Sequence, residues 1–367
     1  MTPSQSEKKN SVTNMCLVTN ATVDYVPQAL VTLRSARNHC SFRLLYMFVA
    51  DATAETLDKI KLALGEDSKW MHVFGPQDLG EEKEIYLRSF EYYNPFEIAN
   101  FAKYVGVSHV LKKSESSDIC VYIDADTFFL GDVCPFIENK IQNSAVYLSP
   151  HILGPLNDNL EHDILIHGWI NAGISAFNKR NNDTFDILNW LIDRIAKRGF
   201  CSPHLGMFVD QLWMSTLPIL FPNKVIMCDK PGINVAYWNL IERPLTENEK
   251  TFYACGEPLL MFHFSGFLPN NPRKLSKHSN IAVLPESSLE KICALYRQEI
   301  GVSENLRPLL SKLTIIPHCK ANLYKRLDAC FDLHHEQLYK TMVRPGIFTK
   351  FGTKIDAVIR KFSVIFK

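Results

Sequence analysis

The run Ile119-Cys120-Val121-Tyr122-Ile123, closed abruptly by Asp124-Ala125-Asp126, constrains this chain more than any other segment. A strand without polar alternation must be covered on both faces, which is the pattern of a central strand in an α/β sheet. The segments before it agree. Residues 12–19, 42–50 and 70–74 read as short buried strands. Between them lie two helical patterns. Pro27 suits the first turn of one, with Ala29, Leu30, Leu33 and Ala36 on its stripe; the other spans 54–64 and stops at Gly65. Strand, helix, strand, helix, strand opens a doubly wound sheet.

Residues 95–111 predict a helix feeding the central strand. Strands over 144–149 and 170–177 follow, separated by a Pro/Asn/Asp-rich loop over 150–159. Helices are expected over 185–196 and 208–217. After about Pro285 the texture becomes helical and basic, with ten Lys or Arg against four Asp or Glu from His318 to Lys367. The expected organisation is a disordered tail over 1–12, an α/β domain over 13–285 and a helical basic region over 286–367.

Forty Lys and Arg balance 39 Asp and Glu, so no global charge points to nucleic acid. The polar start MTPSQSEKKNSV lacks the apolar core of a secretion signal, and no window reaches the ~20 apolar residues of a membrane span. A cytoplasmic location is expected, with membrane contact limited to a peripheral one through the basic C-terminal stretch. The ten cysteines include no C-x-x-C pair, and Cys16 and Cys120 sit in apolar runs, so reduced, buried thiols are expected.

Asp124 and Asp126 carry the chemistry. Carboxylates at i and i+2 on an extended chain point to one side, so both can serve one hard cation. The carboxyl end of a buried strand is also where open α/β sheets bind ligands. Without a cation or base between them the two would repel. His263, in the strand-like LLMFHFSGF that breaks at Gly266, offers a third donor and would favour Mn²⁺ over Mg²⁺. Trp190 and Trp213 lie on apolar helical stripes and read as core; Trp169 and Trp238 sit beside loops, where sugar stacking and core packing are equal alternatives.

The ordered series VYIDADTFFLGDV, HGWINAGISAFN, FVDQLWM with LFP, PGINVAYWNL and MFHFSGF resembles bacterial glycosyltransferases of the GT-A fold related to glycosyltransferase family 8. The segment FEIANFAKY before the central strand is similar as well. The resemblance implies a Rossmann-like nucleotide-sugar-binding domain with a mixed central sheet, and retention of configuration at the anomeric carbon. It implies Asp124, Asp126 and His263 as metal ligands and Lys103 as the basic residue facing the diphosphate or donor sugar. Asn171 would contact the donor sugar, Gly173 would let the donor approach the backbone, and Asp210 and Gln211 would flank the reacting carbon. Thr19 would lie at the nucleotide end.

Departures are visible too. The stretched HFSGFLPNNPRK leaves Lys274 or Lys277, beyond Gly266, to reach the β-phosphate, and PGINVAYWNL has no counterpart in the best-known members. The partners expected are a nucleotide-sugar donor and a glycan or lipid-linked acceptor. Two alternatives stay open. A sugar nucleotidyltransferase would want a Gly-rich basic loop after the first strand, where TNATVDYVPQAL has none. A non-catalytic carbohydrate-binding protein would need neither metal ligands nor the Asp-Gln pair.

Overall fold

The computed structural model describes residues 14–335 apart from 157 and 250. The expected tail over 1–12 and the last part of the basic region, 336–367, lie outside the described residues. The first half is β1 (Met15–Ala21), α1 (Val26–His39), β2 (Leu44–Val49), α2 (Ala54–Leu64), β3 (His72–Phe74), α3 (Lys83–Ser89) and α4 (Pro95–Lys113). The central strand β4 (Ile119–Asp124) and the short β5 (Thr127–Phe129) follow, then α5 (Cys134–Ile141), β6 (Val146–Pro150), α6 (Asp158–His167), β7 (Ile170–Asn178) and α7 (Thr184–Arg198). Beyond them come β8 (Cys201–Ser202), β9 (Met207–Phe208), α8 (Gln211–Leu220) and β10 (Val225–Met227). A small antiparallel sheet of β11 (Leu245–Asn248), β12 (Thr251–Ala254) and β13 (Glu257–Pro258) precedes β14 (Met261–His263). Helices α9 (Ser288–Ser303), α10 (Arg307–Leu310) and α11 (Leu323–Leu333) end the described chain.

The main sheet has seven strands in the order β10-β6-β7-β4-β1-β2-β3. Neighbours are parallel except around β7, which runs antiparallel to both β4 and β6. The expected mixed α/β sheet is therefore present. Both its faces are buried, as the unbroken apolar run in β4 requires. Cys16, Val18, Cys120 and Tyr122 enter the core shared with α4 and α7. Leu17, Val121 and Ile123 enter the opposite core with α1, α2 and α5. Strand parity then assigns sides at the carboxyl ends: Asp124 continues the series facing α4, whereas Thr19 belongs to the series facing α1.

Helix α4 shows no solvent-facing stripe from Glu97 to Leu111 because it is enclosed on every side there, polar residues included. Its start is fixed locally. The Asn94 side chain accepts from Glu97 N at 3.0 Å, Glu97 returns a carboxylate to Asn94 N at 2.9 Å, and Pro95 occupies the first turn. Glu97 is fully buried and is neutralised by Arg326 of α11, while Cys201 N donates to its other oxygen at 2.9 Å. The C-terminal helices thus close onto the sheet domain. Ile315 bridges Ala52, Ile316 N donates to Asp51 O at 2.8 Å, and Cys319 N donates to Tyr93 O at 3.1 Å.

Helix α6 was not expected, because the stretch before it reads as loop and its apolar stripe is weak: Ile164 is buried but Leu165 is exposed. Trp190 and Trp213 do pack into the core, stacked edge to face at 5.9 Å. Among the described residues, no pair of the ten cysteines forms a disulfide. Among the described residues, no helix is long and apolar enough to cross a membrane.

Candidate functional site

Strand β4 stops at Asp124, and residues 125–126 form a turn instead of continuing extended. The turn is pinned from two sides. Thr127 Oγ1 donates to Asp124 O at 2.9 Å, and Thr32 Oγ1 on α1 lies 2.7 Å from Ala125 O and 2.8 Å from Thr127 O. Strand β5 then pairs antiparallel with β14, setting His263 opposite Thr127, and Phe264 N donates to Asp126 O at 2.7 Å. The result brings one ligand atom each of Asp124, Asp126 and His263 within 4.8 Å of one another. The carboxylates converge as expected, although a pinned turn and not strand alternation brings them together.

Each ligand is oriented by its neighbours. Asp124 Oδ1 lies 2.7 Å from Tyr122 OH and 3.0 Å from Lys103 Nζ, which leaves Oδ2 turned toward His263 Nε2 at 3.8 Å. Asp126 Oδ1 is 3.1 Å from the same nitrogen. Lys103, buried on α4, also reaches Asp210 Oδ2 at 3.3 Å and Ala172 O at 3.5 Å. Tyr104 OH donates to Asp210 Oδ2 at 2.8 Å, and Asp210 Oδ1 is buried without a hydrogen-bond partner.

These contacts shift the acidities of the buried groups. Burial pushes Asp210 above its ordinary value despite Lys103 and Tyr104. Burial opposes the charge on Lys103, but Asp124 and Asp210 outweigh it and raise its pKa. For His263, burial is again the largest effect, and the Asp126 charge and hydrogen bond overcome it to raise the pKa. Asp126 is held below the usual carboxylate value because His263 outweighs its burial.

On the far side of His263 the polar groups are amides. Asn171 Nδ2 lies 3.3 Å from both Gln211 Oε1 and His151 Nε2, and Asn171 Oδ1 accepts from Gly173 N at 3.0 Å. Gln211 Nε2 donates to His167 O at 3.1 Å. Gly173 has a different use from the one expected: a Cβ there would lie 2.5 Å from His263 Cε1 and Nδ1, so the missing side chain makes room for the imidazole. Gly266, at φ +67°, makes room for the next turn, since a Cβ would meet His278 Cδ2 at 2.4 Å.

The remaining expected residues are placed as follows. Thr19 is fully buried within β1 with an unpartnered hydroxyl, opposite Ile123 of β4 and on the α1 side of the sheet. Lys277 N donates to Gly266 O at 2.8 Å, whereas Lys274 forms a backbone bridge to Ala282. Trp238 packs edge to face on His263 at 5.2 Å, with its indole N–H buried and unpartnered; Trp169 is 45% exposed. Sequence reasoning missed His151, Tyr122, Thr32 and Asn234. The only signal for Asn234 was its place in PGINVAYWNL, and no periodicity marks the others.

No family model matches the sequence. The chain is 29% identical over 191 residues to the uncharacterized protein YfnF of Bacillus subtilis (strain 168), a match covering 51% of this chain and 62% of YfnF. It is 24% identical over 241 residues to the uncharacterized protein YfnD of the same organism, covering 64% of this chain and 72% of YfnD. Among solved structures, the glycosyltransferase GlyE of Streptococcus pneumoniae TIGR4 is similar at 17% identity and TM-score 0.47, over 84% of this chain and 66% of GlyE. The galactosyltransferase LgtC, solved with donor and acceptor sugar analogs, is similar at 14% identity and TM-score 0.46, over 78% of this chain and 96% of LgtC. The chain spans less than two thirds of both YfnF and GlyE, at 62% and 66%.

Proposed function

We propose that this protein is a retaining, metal-dependent glycosyltransferase of the GT-A type, related to family 8, that moves a hexose from a nucleotide-diphospho-sugar such as a UDP-sugar. One observation carries the reading: Asp124, Asp126 and His263 converge at a strand end, with Lys103, Asp210, Asn171 and Gln211 gathered behind them. The donor set suits a hard divalent cation. Two carboxylates and one imidazole, with a ligand atom of each within 4.8 Å of the others, would hold it. The imidazole favours Mn²⁺ over Mg²⁺.

When bound, the cation would neutralise the charge that develops on the departing diphosphate. The protein's own groups do the rest. The Lys103 ammonium, kept charged by two carboxylates, adds positive potential beside the same phosphates. Asp210, whose Oδ1 is buried without a partner, would with the Gln211 carboxamide stabilise positive charge at the anomeric carbon. Asn171 would orient a sugar hydroxyl, with Gly173 supporting His263 instead of admitting the donor. Lys274 or Lys277, both on the segment that follows Gly266, would reach the β-phosphate. The acceptor is proposed to be a glycan or a lipid-linked sugar.

The test is a panel of nucleotide sugars with Mn²⁺ and purified full-length protein. One donor should slowly release nucleoside diphosphate, and Asp126→Ala should lower that rate by about a hundredfold or more. A protein that neither binds nor cleaves any donor with Mn²⁺ present would leave the non-catalytic carbohydrate-binding alternative.

A further inference from the structure

Asn234 is fully buried and holds a left-handed backbone at φ 60°, a conformation asparagine tolerates better than most residues. Its backbone is clamped. Arg243 Nη1 donates to Ile233 O at 3.0 Å, Asn239 Nδ2 donates to Asn234 O at 3.1 Å, and a Cβ on Gly232 would sit 2.0 Å from Pro258 O. Its carboxamide lies between the metal-ligand histidine and the sugar-side amides. Asn234 Oδ1 is 3.1 Å from His263 Nδ1, and Nδ2 is 3.0 Å from Asn171 Oδ1 and 3.2 Å from Ser149 Oγ.

The directions of these bonds are not free. An amide side chain can be flipped, but a backbone N–H cannot change from donor to acceptor. Gly173 N donates to Asn171 Oδ1 at 3.0 Å, and Ala172 N donates to Gln211 Oε1 at 3.3 Å. Those two backbone donors make Oδ1 of Asn171 and Oε1 of Gln211 the acceptors. Asn171 Nδ2 must then donate to Gln211, and Asn234 Nδ2 must donate to Asn171. The atom that Asn234 presents to His263 is therefore its carbonyl oxygen, an acceptor. A single line of donors runs His263 → Asn234 → Asn171 → Gln211 → His167 O.

We infer that Asn234 is a positioning residue: its carbonyl oxygen accepts from His263 Nδ1, so that Nε2 is the ring nitrogen turned toward Asp124 and Asp126, and it links that orientation to the Asn171–Gln211 amides. This rests on the metal reading above, in which His263 binds through Nε2. An outer partner on the second ring nitrogen fixes the tautomer and ring direction of a ligating histidine. Asn234 does so with a neutral group and leaves the local charge to Lys103 and the carboxylates.

Two substitutions test it. Asn234→Gly keeps the positive φ and removes the carboxamide; Asn234→Asp keeps an acceptor toward His263 but loses the donor to Asn171. Mn²⁺ affinity, read by electron paramagnetic resonance without donor, should fall about 10- to 100-fold in Asn234→Gly. In Asn234→Asp it should stay within about threefold of wild type, because the outer partner is retained, while donor cleavage falls. Equal Mn²⁺ affinity in folded wild type and Asn234→Gly overturns the inference while the metal reading survives. Failure of wild type to bind Mn²⁺ removes the metal reading and this inference with it.

Discussion

Helix α4 buries two charged side chains, Glu97 in its first turn and Lys103 further along, and the two are used in opposite ways. Glu97 is matched by one guanidinium, Arg326, and its oxygens also accept from Asn94 N and Cys201 N. Everything around it is closed. Lys103 meets two carboxylates, Asp124 and Asp210, and with Asp126 and His263 nearby the acids outnumber the permanent cations. The Asp124 and Asp126 side chains remain 23% and 28% exposed. Burial alone does not separate a staple from a site. A balanced, enclosed pair holds the C-terminal helices to the sheet domain, whereas a surplus of carboxylate open on one side calls for a cation.

The largest effect should come from breaking the closed pair. Arg326→Ala leaves Glu97 charged and unpaired in the core, which should cost about 3–5 kcal/mol in denaturant unfolding. Donor cleavage per folded molecule should be unchanged, because Arg326 touches none of the carboxylates at the open end. A loss under about 1 kcal/mol would place this pair with exposed ones and sink the staple reading.

A smaller, pH-dependent effect sharpens the same contrast. Asp51 is 2% exposed, accepts from Val23 N at 2.8 Å and lies 3.5 Å from His318 Nε2. Burial raises its carboxyl to about 6, against the lowering effect of backbone hydrogen bonds. A folded-state pKa above the unfolded one means that stability from this group is present at low pH and is lost as pH rises through about 6. Asp51→Asn keeps the acceptor for Val23 N and cannot ionise. Relative to wild type it should gain about 2–3 kcal/mol between pH 4 and pH 8. Unfolding titrations across that range check this, and a difference independent of pH contradicts it.

How much of this was legible in the sequence depended on whether the signal was local. The unbroken apolar run in β4 and the pattern over α2, closed by Gly65, come from burial and capping within a few residues, and both appear where expected. So do Asp124 and Asp126, at the end of that run. Which side of the sheet Thr19 takes was not legible, because it depends on strand parity, which puts it toward α1. Gly173 was assigned to the donor because nothing in its segment shows that an imidazole ninety residues later, in β14, fills the space above it. Asn234 was invisible for the same reason: its role is defined by partners on β6, β7 and β14. Strand ends and helix stops can be read from neighbours in sequence; the back of the site required neighbours in space.

The central claim is that the open cluster of acids around His263 is completed by a divalent cation and a nucleotide sugar. The most direct measurement is the thermal unfolding of wild type and Asp126→Ala, each with and without Mn²⁺ and a nucleoside diphosphate. Ligand that binds only the folded state at about 100 times its Kd should stabilise wild type by about 2.7 kcal/mol, seen as a clear rise in Tm, and should leave Asp126→Ala unmoved. Superimposable wild-type curves with and without the ligands, or an equal rise in both proteins, would contradict the account.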